Sequence, residues 1–498
     1  MNRQEIILVV ITLYMVFMLL IGVYYCRKSN NIHDYALGGR NLGPWVTALS
    51  AQASDMSGWL LTGLPGLAYL SLAGFKEAAW TAIGLAVGTL LNWLIVGKRL
   101  RSYTEIAGNS VTLPDYLENR FRDRSRILRV ATAAATVVFF LIYTSSMFVT
   151  GAKLFATIFG LEYSTALLIS SLIIVSYTFL GGFMAVCMTD FFQGILMFFG
   201  VLVVPIVGAM LSGGFGATMQ AIDPAAWQLF PTGDGTVTWV LIASSLAWGL
   251  GYFGQPHILA RFMAIDKPSD IKPATIVAMI WVSISLFAAV MVGAVGRVYL
   301  ADAPLAEGAH ETIFMVLVNN MFPAILAGVL LSAIMAAVMS TADSQLLVTS
   351  TVLAEDFYKN LIRKNASDKE VLWISRIGVL VVSVIAVVLA MDPNSSIFGI
   401  VSYAWAGLGA SFGPAVLVSL YWKRMTRRGA IAGVVVGAVG TVVFNWLKTN
   451  VGGIFSIYEL LPAFILAVVV IVVVSLLDQA PQQEIQQEFD AAVEFSKK

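Results

Sequence analysis

Apolar positions in this chain are not spaced at helical or strand intervals but gathered into long runs, each broken by a short polar stretch. A run of roughly 17–25 apolar residues crosses a bilayer as helix. Thirteen such runs are predicted, near 5–26, 45–70, 77–97, 128–157, 163–182, 186–211, 237–260, 273–299, 312–353, 372–391, 395–421, 428–447 and 455–477. They predict an all-α integral membrane protein in which residues 1–478 form one transmembrane domain. Residues 479–498 form a polar tail rich in Gln and Glu, expected as a solvated helix or a disordered segment. The first run ends in Arg27 and Lys28 without a small-residue cleavage pattern, so it is expected to stay as a helix rather than leave as a signal peptide.

An odd number of spans puts the termini on opposite faces, and positive charge marks the cytoplasmic one. Most Lys and Arg lie in loops after spans one, three, seven, nine and eleven, among them Lys98, Arg99, Arg101, Arg120, Arg122, Arg124, Arg126 and Arg129 in one loop and Lys423, Arg424, Arg427 and Arg428 in another. The long loop from Ser212 to Thr236 has none. The amino terminus is therefore expected outside and the tail inside.

Composition agrees: 58% of residues are hydrophobic and 12% charged, against about 45–50% and 25% in soluble domains. A net charge of +1 leaves no electrostatic footprint for nucleic acid. Cys26 and Cys187 read as packing residues, too few for a disulfide framework or a thiolate metal site. With only His33, His257 and His310, no H-E-x-x-H and no histidine beside a candidate serine nucleophile, hydrolytic enzymes are disfavoured; no Gly-Lys-Ser/Thr phosphate loop points to ATP. A solute sensor would be expected to carry a signalling domain, for which the tail is too short. The chemistry is expected inside the membrane.

In hydrocarbon a helix can break only where its freed backbone groups meet protein, water or an ion. The second span carries Ala53-Ser54-Asp55-Met56-Ser57-Gly58 at its middle, and the seventh carries Trp248 through Pro256 with three glycines. Two broken spans five apart match inverted five-helix repeats with a solute bound between discontinuous helices, although glycines alone also let helices pack closely. The ninth span holds Ser340, Thr341, Asp343, Ser344 and Gln345 within six positions. Sodium prefers oxygen, and the hydroxyls of Ser340 and Thr341, one turn from Ala337, offer it together with carbonyls freed at Ala53 and Met56. Each hydroxyl alone reads more readily as bonding back one turn, whereas the pair beside a broken helix reads as a site. Asp55 and Asp343 would cost at least about 2.5 kcal/mol each at the bilayer centre, which makes them functional candidates; Asp55 also reads as a cap for a half-helix starting near Ser57.

Tyr177 through Ala185 and Tyr403 through Pro414 resemble the signatures of the sodium:solute symporter family. Leu37-Gly38-Gly39-Arg40, Val46 through Ser50, Ala53 through Leu61, Leu113 through Tyr116 and Gly249 through Met263 resemble its bacterial proline-carrying members. The resemblance implies thirteen helices in a LeuT-like arrangement: an extra helix 5–26, repeat one at about 45–211, repeat two at about 237–421 and peripheral helices at 428–477. It implies a bacterial cytoplasmic membrane, sodium as coupling ion, L-proline as solute, no organic cofactor and no obligatory protein partner. Carried over, the sodium ligands are again Ala53, Met56, Ala337, Ser340 and Thr341. The solute region maps onto Ser57, Gly58, Trp59, Gly63, Tyr143, Trp248, Tyr252 and Pro256. Asp190, with Ser340, Asp343 and Ser344, resembles a second cation position of some members, with Asp343 standing where others have a hydroxyl. The alternative to proline is another small solute: a different amino acid, a carboxylate vitamin or a sugar.

Overall fold

The computed structural model describes residues 1–26, 32–178, 182–233, 235 and 237–497. Arg27, Lys28, Thr236 and the Phe179–Gly181 part of the first family signature lie outside the described residues. The regular elements among these residues are helices, with one isolated parallel bridge between Leu42 and Ile265.

The helices that matter for the site are α1 (Arg3–Cys26), α2 (Pro44–Asp55), α3 (Gly58–Leu61), α4 (Gly63–Leu70), α5 (Leu72–Leu91), α6 (Ile127–Phe159), α7 (Tyr163–Thr178), α8 (Phe183–Leu211), α9 (Trp239–Ala247), α10 (Pro256–Ala264), α11 (Ile271–Tyr299), α12 (Ala324–Thr351), α13 (Asp368–Leu389), α14 (Ile397–Tyr421), α15 (Arg427–Asn450), α16 (Leu460–Leu477) and α17 (Gln483–Phe495). Among the described residues ten helices are long and apolar enough to cross a membrane. The three expected spans outside that set are the second, split into α2, α3 and α4; the fifth, which is the shorter α7; and the seventh, in which a 3-10 stretch Trp248–Gly254 separates α9 from α10.

One boundary needs correction. The run expected as a single span at 312–353 forms two helices, Ile313–Met321 and α12. Pro323 cannot donate a backbone hydrogen bond and drives Phe322 into extended backbone (φ −113°, ψ 146°), so the helix stops before it. The tail, for which helix or disorder was open, folds as α17. Its Glu484 pairs with Arg122, and its buried Phe489 ring lies 6.1 Å from that of Tyr103.

Polarity is arranged inside out. Helix α13 exposes Trp373, Ile377, Val381, Val384 and Val388, whereas α2 buries Ser50, Gln52, Ser54 and Asp55 completely or nearly so. In a lipid solvent the apolar face belongs outside, and a polar side chain belongs where another helix can satisfy it. Helix α12 lies at the centre, packed on α1, α6, α8 and α2; α8 in turn packs on α2 and α11.

Small residues let the backbones close on the interrupted segment. A Cβ on Gly88 of α5 would lie 2.3 Å from the Cα of Gly249, and one on Gly251 would lie 1.8 Å from the Trp405 indole nitrogen of α14. Only hydrogen fits at either position.

Candidate functional site

Helix α2 stops because Met56 leaves helical geometry (φ −77°, ψ 65°) and Ser57 is extended (φ −62°, ψ −164°). The chain turns there: the Met56 amide bonds the Gln52 carbonyl at 2.8 Å and the Ser57 amide the Asp55 carbonyl at 2.8 Å. The last carbonyls of a helix lack intrahelical donors and carry the negative end of its dipole. In this chain two of them meet α12. The Ser340 hydroxyl donates to the Ala53 carbonyl at 2.8 Å, and the Thr341 hydroxyl donates to the Ser54 carbonyl at 3.0 Å and approaches that of Ala53 at 3.5 Å. Ser340 also reaches back to the Ala337 carbonyl at 3.2 Å. All these residues are buried.

Four of the five residues expected around sodium, Ala53, Ala337, Ser340 and Thr341, thus share one cluster. Met56 sits at the break itself, and the Ser54 carbonyl is an additional oxygen the sequence reading missed. Three carbonyls and two hydroxyls form an oxygen set that fits a hard monovalent cation.

Asp55 closes the other side of the break. One carboxylate oxygen accepts the Tyr252 hydroxyl at 2.7 Å, and the other has no hydrogen-bond partner among the described residues. Asp55 does not cap the next half-helix; Ser57 does, accepting from the Trp59 amide at 3.5 Å. A carboxylate two residues before the cap position meets the 3-10 stretch Trp248–Gly254 instead, through Tyr252.

The aromatic residues expected around a solute do converge. Tyr143 reaches the Asp55 carbonyl at 3.5 Å, and Trp59 and Trp248 have ring centroids 6.2 Å apart. Tyr252 meets Trp405 edge-on at 5.0 Å, and the Trp405 indole donates to the Trp248 carbonyl at 2.9 Å. Trp59, Tyr143, Trp248 and Tyr252 are each at most 4% exposed, so these rings are shut off from solvent. Two other members act through backbone shape. A Cβ on Gly58 would fall 2.6 Å from the Thr150 methyl, and one on Gly63 would fall 3.2 Å from the Phe398 Cβ. Pro256 starts α10 at its first position, where a missing amide hydrogen costs nothing.

Deeper lies a second polar knot. Asp190 of α8 accepts from Ser50 at 2.7 Å and from Arg261 of α10 at 3.0 Å, with both ionic side chains fully buried. Arg261 also donates to the Ser50 hydroxyl at 3.0 Å, the His257 carbonyl at 2.8 Å and the Ser344 hydroxyl at 2.5 Å. The cation beside Asp190 in this structure is therefore a guanidinium. Asp343 accepts from Thr178 through one oxygen and has no partner for the other among the described residues. Arg261 is the main residue missed from sequence. A lone arginine in the apolar stretch 256–264 was a legible signal, since intramembrane charges are rare and paired. Trp405 and Phe398 carried no comparable signal among 12 Trp and 29 Phe.

Comparison with known proteins follows the geometry. The model of the sodium:solute symporter family matches residues 35–437. The chain is 48% identical over 477 residues to the high-affinity proline transporter PutP of Bacillus subtilis (strain 168), covering 95% of this chain and 98% of that protein. It is 47% identical over 492 residues to the sodium/proline symporter of Escherichia coli (strain K12), covering 97% and 96%. Among solved structures, a Na+-coupled sialic acid symporter in a substrate-bound outward-open state superposes with a TM-score of 0.79 over 97% of this chain and 100% of the other, at 21% identity. At that identity the likeness establishes the fold.

Proposed function

Because the chain belongs to the sodium:solute symporter family, we propose that it works by alternating access around the break between α2 and α3. It is a sodium-coupled secondary active symporter, not an enzyme, and it imports L-proline across a bacterial cytoplasmic membrane. The observation that carries the mechanism is the meeting of the α2 carbonyls of Ala53 and Ser54 with the Ser340 and Thr341 hydroxyls.

Sodium arriving between them takes over carbonyls that two hydroxyls now satisfy, and the hydroxyls turn their lone pairs toward the ion. The ion braces α2 against α12. That bracing orders the Met56–Gly58 turn beside Trp59, Tyr143, Trp248 and Tyr252. Proline is a compact zwitterion with an apolar ring: the α3 amides suit its carboxylate, and the ring faces suit its methylenes and secondary ammonium. Linkage requires sodium and proline to raise each other's affinity by one factor. The ion supplies the driving energy, about 2.3 kcal/mol for each charge crossing 100 mV, before any concentration gradient.

The finer architecture is part of the proposal. Adding the broken second and seventh spans and α7 to the ten long helices makes thirteen, with the amino terminus outside and α17 inside. Residues 1–478 are one domain with an extra helix at 5–26, inverted repeats at 45–211 and 237–421 and peripheral helices at 428–477. The sodium ligands are Ala53, Met56, Ala337, Ser340 and Thr341. Asp55, Asp190, Asp343 and Ser344 serve coupling, and in that set Asp190 acts through Arg261.

Proteoliposomes with an imposed sodium gradient test the reading. Labelled L-proline is expected to accumulate with sodium and not with potassium. Equal accumulation with either ion would defeat it, and stronger competition from another amino acid, a carboxylate or a sugar would reassign the solute.

A further inference from the structure

A cavity of about 550 Å³ opens on the face that the proposed orientation puts outside, between α5, α9, α14 and the α15–α16 connection. Its lining combines three charged groups with aromatic rings. Lys448, at the end of α15, donates to Glu459 at 3.1 Å and sits 5.7 Å over the Tyr458 ring. Glu77 of α5 lines the same cavity, feels the charge of Lys448, and makes no hydrogen bond among the described residues. Two carboxylates and one ammonium thus line one cavity, and Glu459 holds the ammonium.

The floor is made of rings. Trp248 stacks on Tyr458 with centroids 5.3 Å apart and lies 5.0 Å from Phe398; on its inner side it meets Trp59. The same indole therefore separates this cavity from the buried region around Asp55.

We propose that this cavity is an outer waiting site for a zwitterionic amino acid, occupied before Trp248 moves aside. It rests on the reading of the chain as a proline carrier and adds a second place for the same solute. The Glu77 carboxylate takes the ammonium. Lys448 takes the carboxylate, because an ammonium has three donors and Glu459 uses one. Tyr458, Trp248 and Phe398 offer ring faces to the apolar part of the solute and to its positive nitrogen. The volume lies within the range of small-molecule sites. A passive water-filled vestibule would not require a carboxylate without a hydrogen bond among the described residues and an ammonium lining one cavity above an aromatic floor.

Equilibrium binding of labelled L-proline to the full chain in lipid nanodiscs tests the proposal. Two molecules per chain are expected at saturation, the tighter dependent on sodium and the weaker indifferent to it. Glu77→Gln and Lys448→Gln are each expected to abolish the weaker site and raise the uptake KM about tenfold or more, the loss of one charge-assisted hydrogen bond. Sodium half-saturation should stay unchanged, and Glu77→Asp should keep both sites. A stoichiometry of one on the unmodified chain, with sodium-dependent binding intact, overturns the proposal whatever the variants do. Loss of sodium-dependent proline binding from the unmodified chain would overturn the transport reading instead.

Discussion

Breaking the buried pair Asp190–Arg261 should damage the protein more than removing both charges. Arg261 makes four hydrogen bonds, to Ser50, His257, Asp190 and Ser344, and so ties α10 to α2, α8 and α12. Asp190 has one oxygen bonded to Ser50 and Arg261 and the other without a partner among the described residues. In Arg261→Gln the carboxylate keeps its charge in a fully buried place with only the Ser50 hydroxyl to stabilise it. In Asp190→Asn the guanidinium loses its counter-charge. Removing one partner of a buried pair costs about 3–5 kcal/mol, because the survivor is left uncompensated. That is a factor of at least about a hundred in the folded population.

In the double variant neither charge remains, and two neutral amides can bond each other and the Ser50 and Ser344 hydroxyls. Its loss should be smaller than either single loss, so the two losses are coupled by more than about 3 kcal/mol, because no uncompensated charge is left buried. The assay is retention of sodium-dependent proline binding after graded heating in detergent. The double variant is expected to survive to a higher temperature than either single one. Strict additivity, or a single substitution with no effect, would mean that Asp190 and Arg261 are not each other's partner and that this corner of the site is wrongly drawn.

Ser340→Ala and Thr341→Val each remove a hydroxyl from the carbonyl cluster; contacts of this kind with an ion are worth about 1.5–3 kcal/mol. Sodium half-saturation of proline uptake should rise about tenfold or more, with the maximal rate recovered at high sodium, and an unchanged sodium dependence would contradict the site. Tyr252→Phe strips the Asp55 carboxylate of its one hydrogen bond among the described residues and should lower thermal stability by about 1–3 kcal/mol; an unaltered unfolding midpoint would speak against that bond. Between Phe121 and Ile127, burial pushes Asp123 up, but the Ser125 hydroxyl, the Leu128 and Ser125 amides and Arg427 outweigh it and hold its carboxyl below the usual range. Its stabilising contribution is therefore full above the ordinary carboxylate pKa and lost as pH falls through the lowered value. Asp123→Asn should flatten that acid-side slope in a plot of thermal midpoint against pH, and a slope identical to that of the unmodified chain would remove Asp123 from the account.

Much of this protein was legible before any coordinates. Hydrocarbon imposes a length and a composition on every span, so apolar runs announce themselves, and the polar interruption at Ala53–Gly58 could not be an ordinary stretch of membrane helix. Hydroxyls at 340 and 341 were visible for the same reason. The expected span at 312–353 erred because composition does not weigh one proline heavily, whereas the backbone at Phe322 does. The capping role read for Asp55 also failed, since the cap is the residue just before helical geometry resumes, and that residue is Ser57.

Pairing was beyond the reach of the sequence. Ser50, Asp190, Arg261 and Ser344 are separated by tens to hundreds of residues, and only the packing of α2, α8, α10 and α12 brings their charges and hydroxyls within hydrogen-bond distance. The same holds for the neighbours of Trp248, an indole the sequence places in the solute region but which only folding stacks between an outer cavity and the ring of Trp59. Local chemistry, being short-ranged along the chain, declared what could bind; which groups satisfy one another is a property of contacts between helices, and a linear text does not contain those distances.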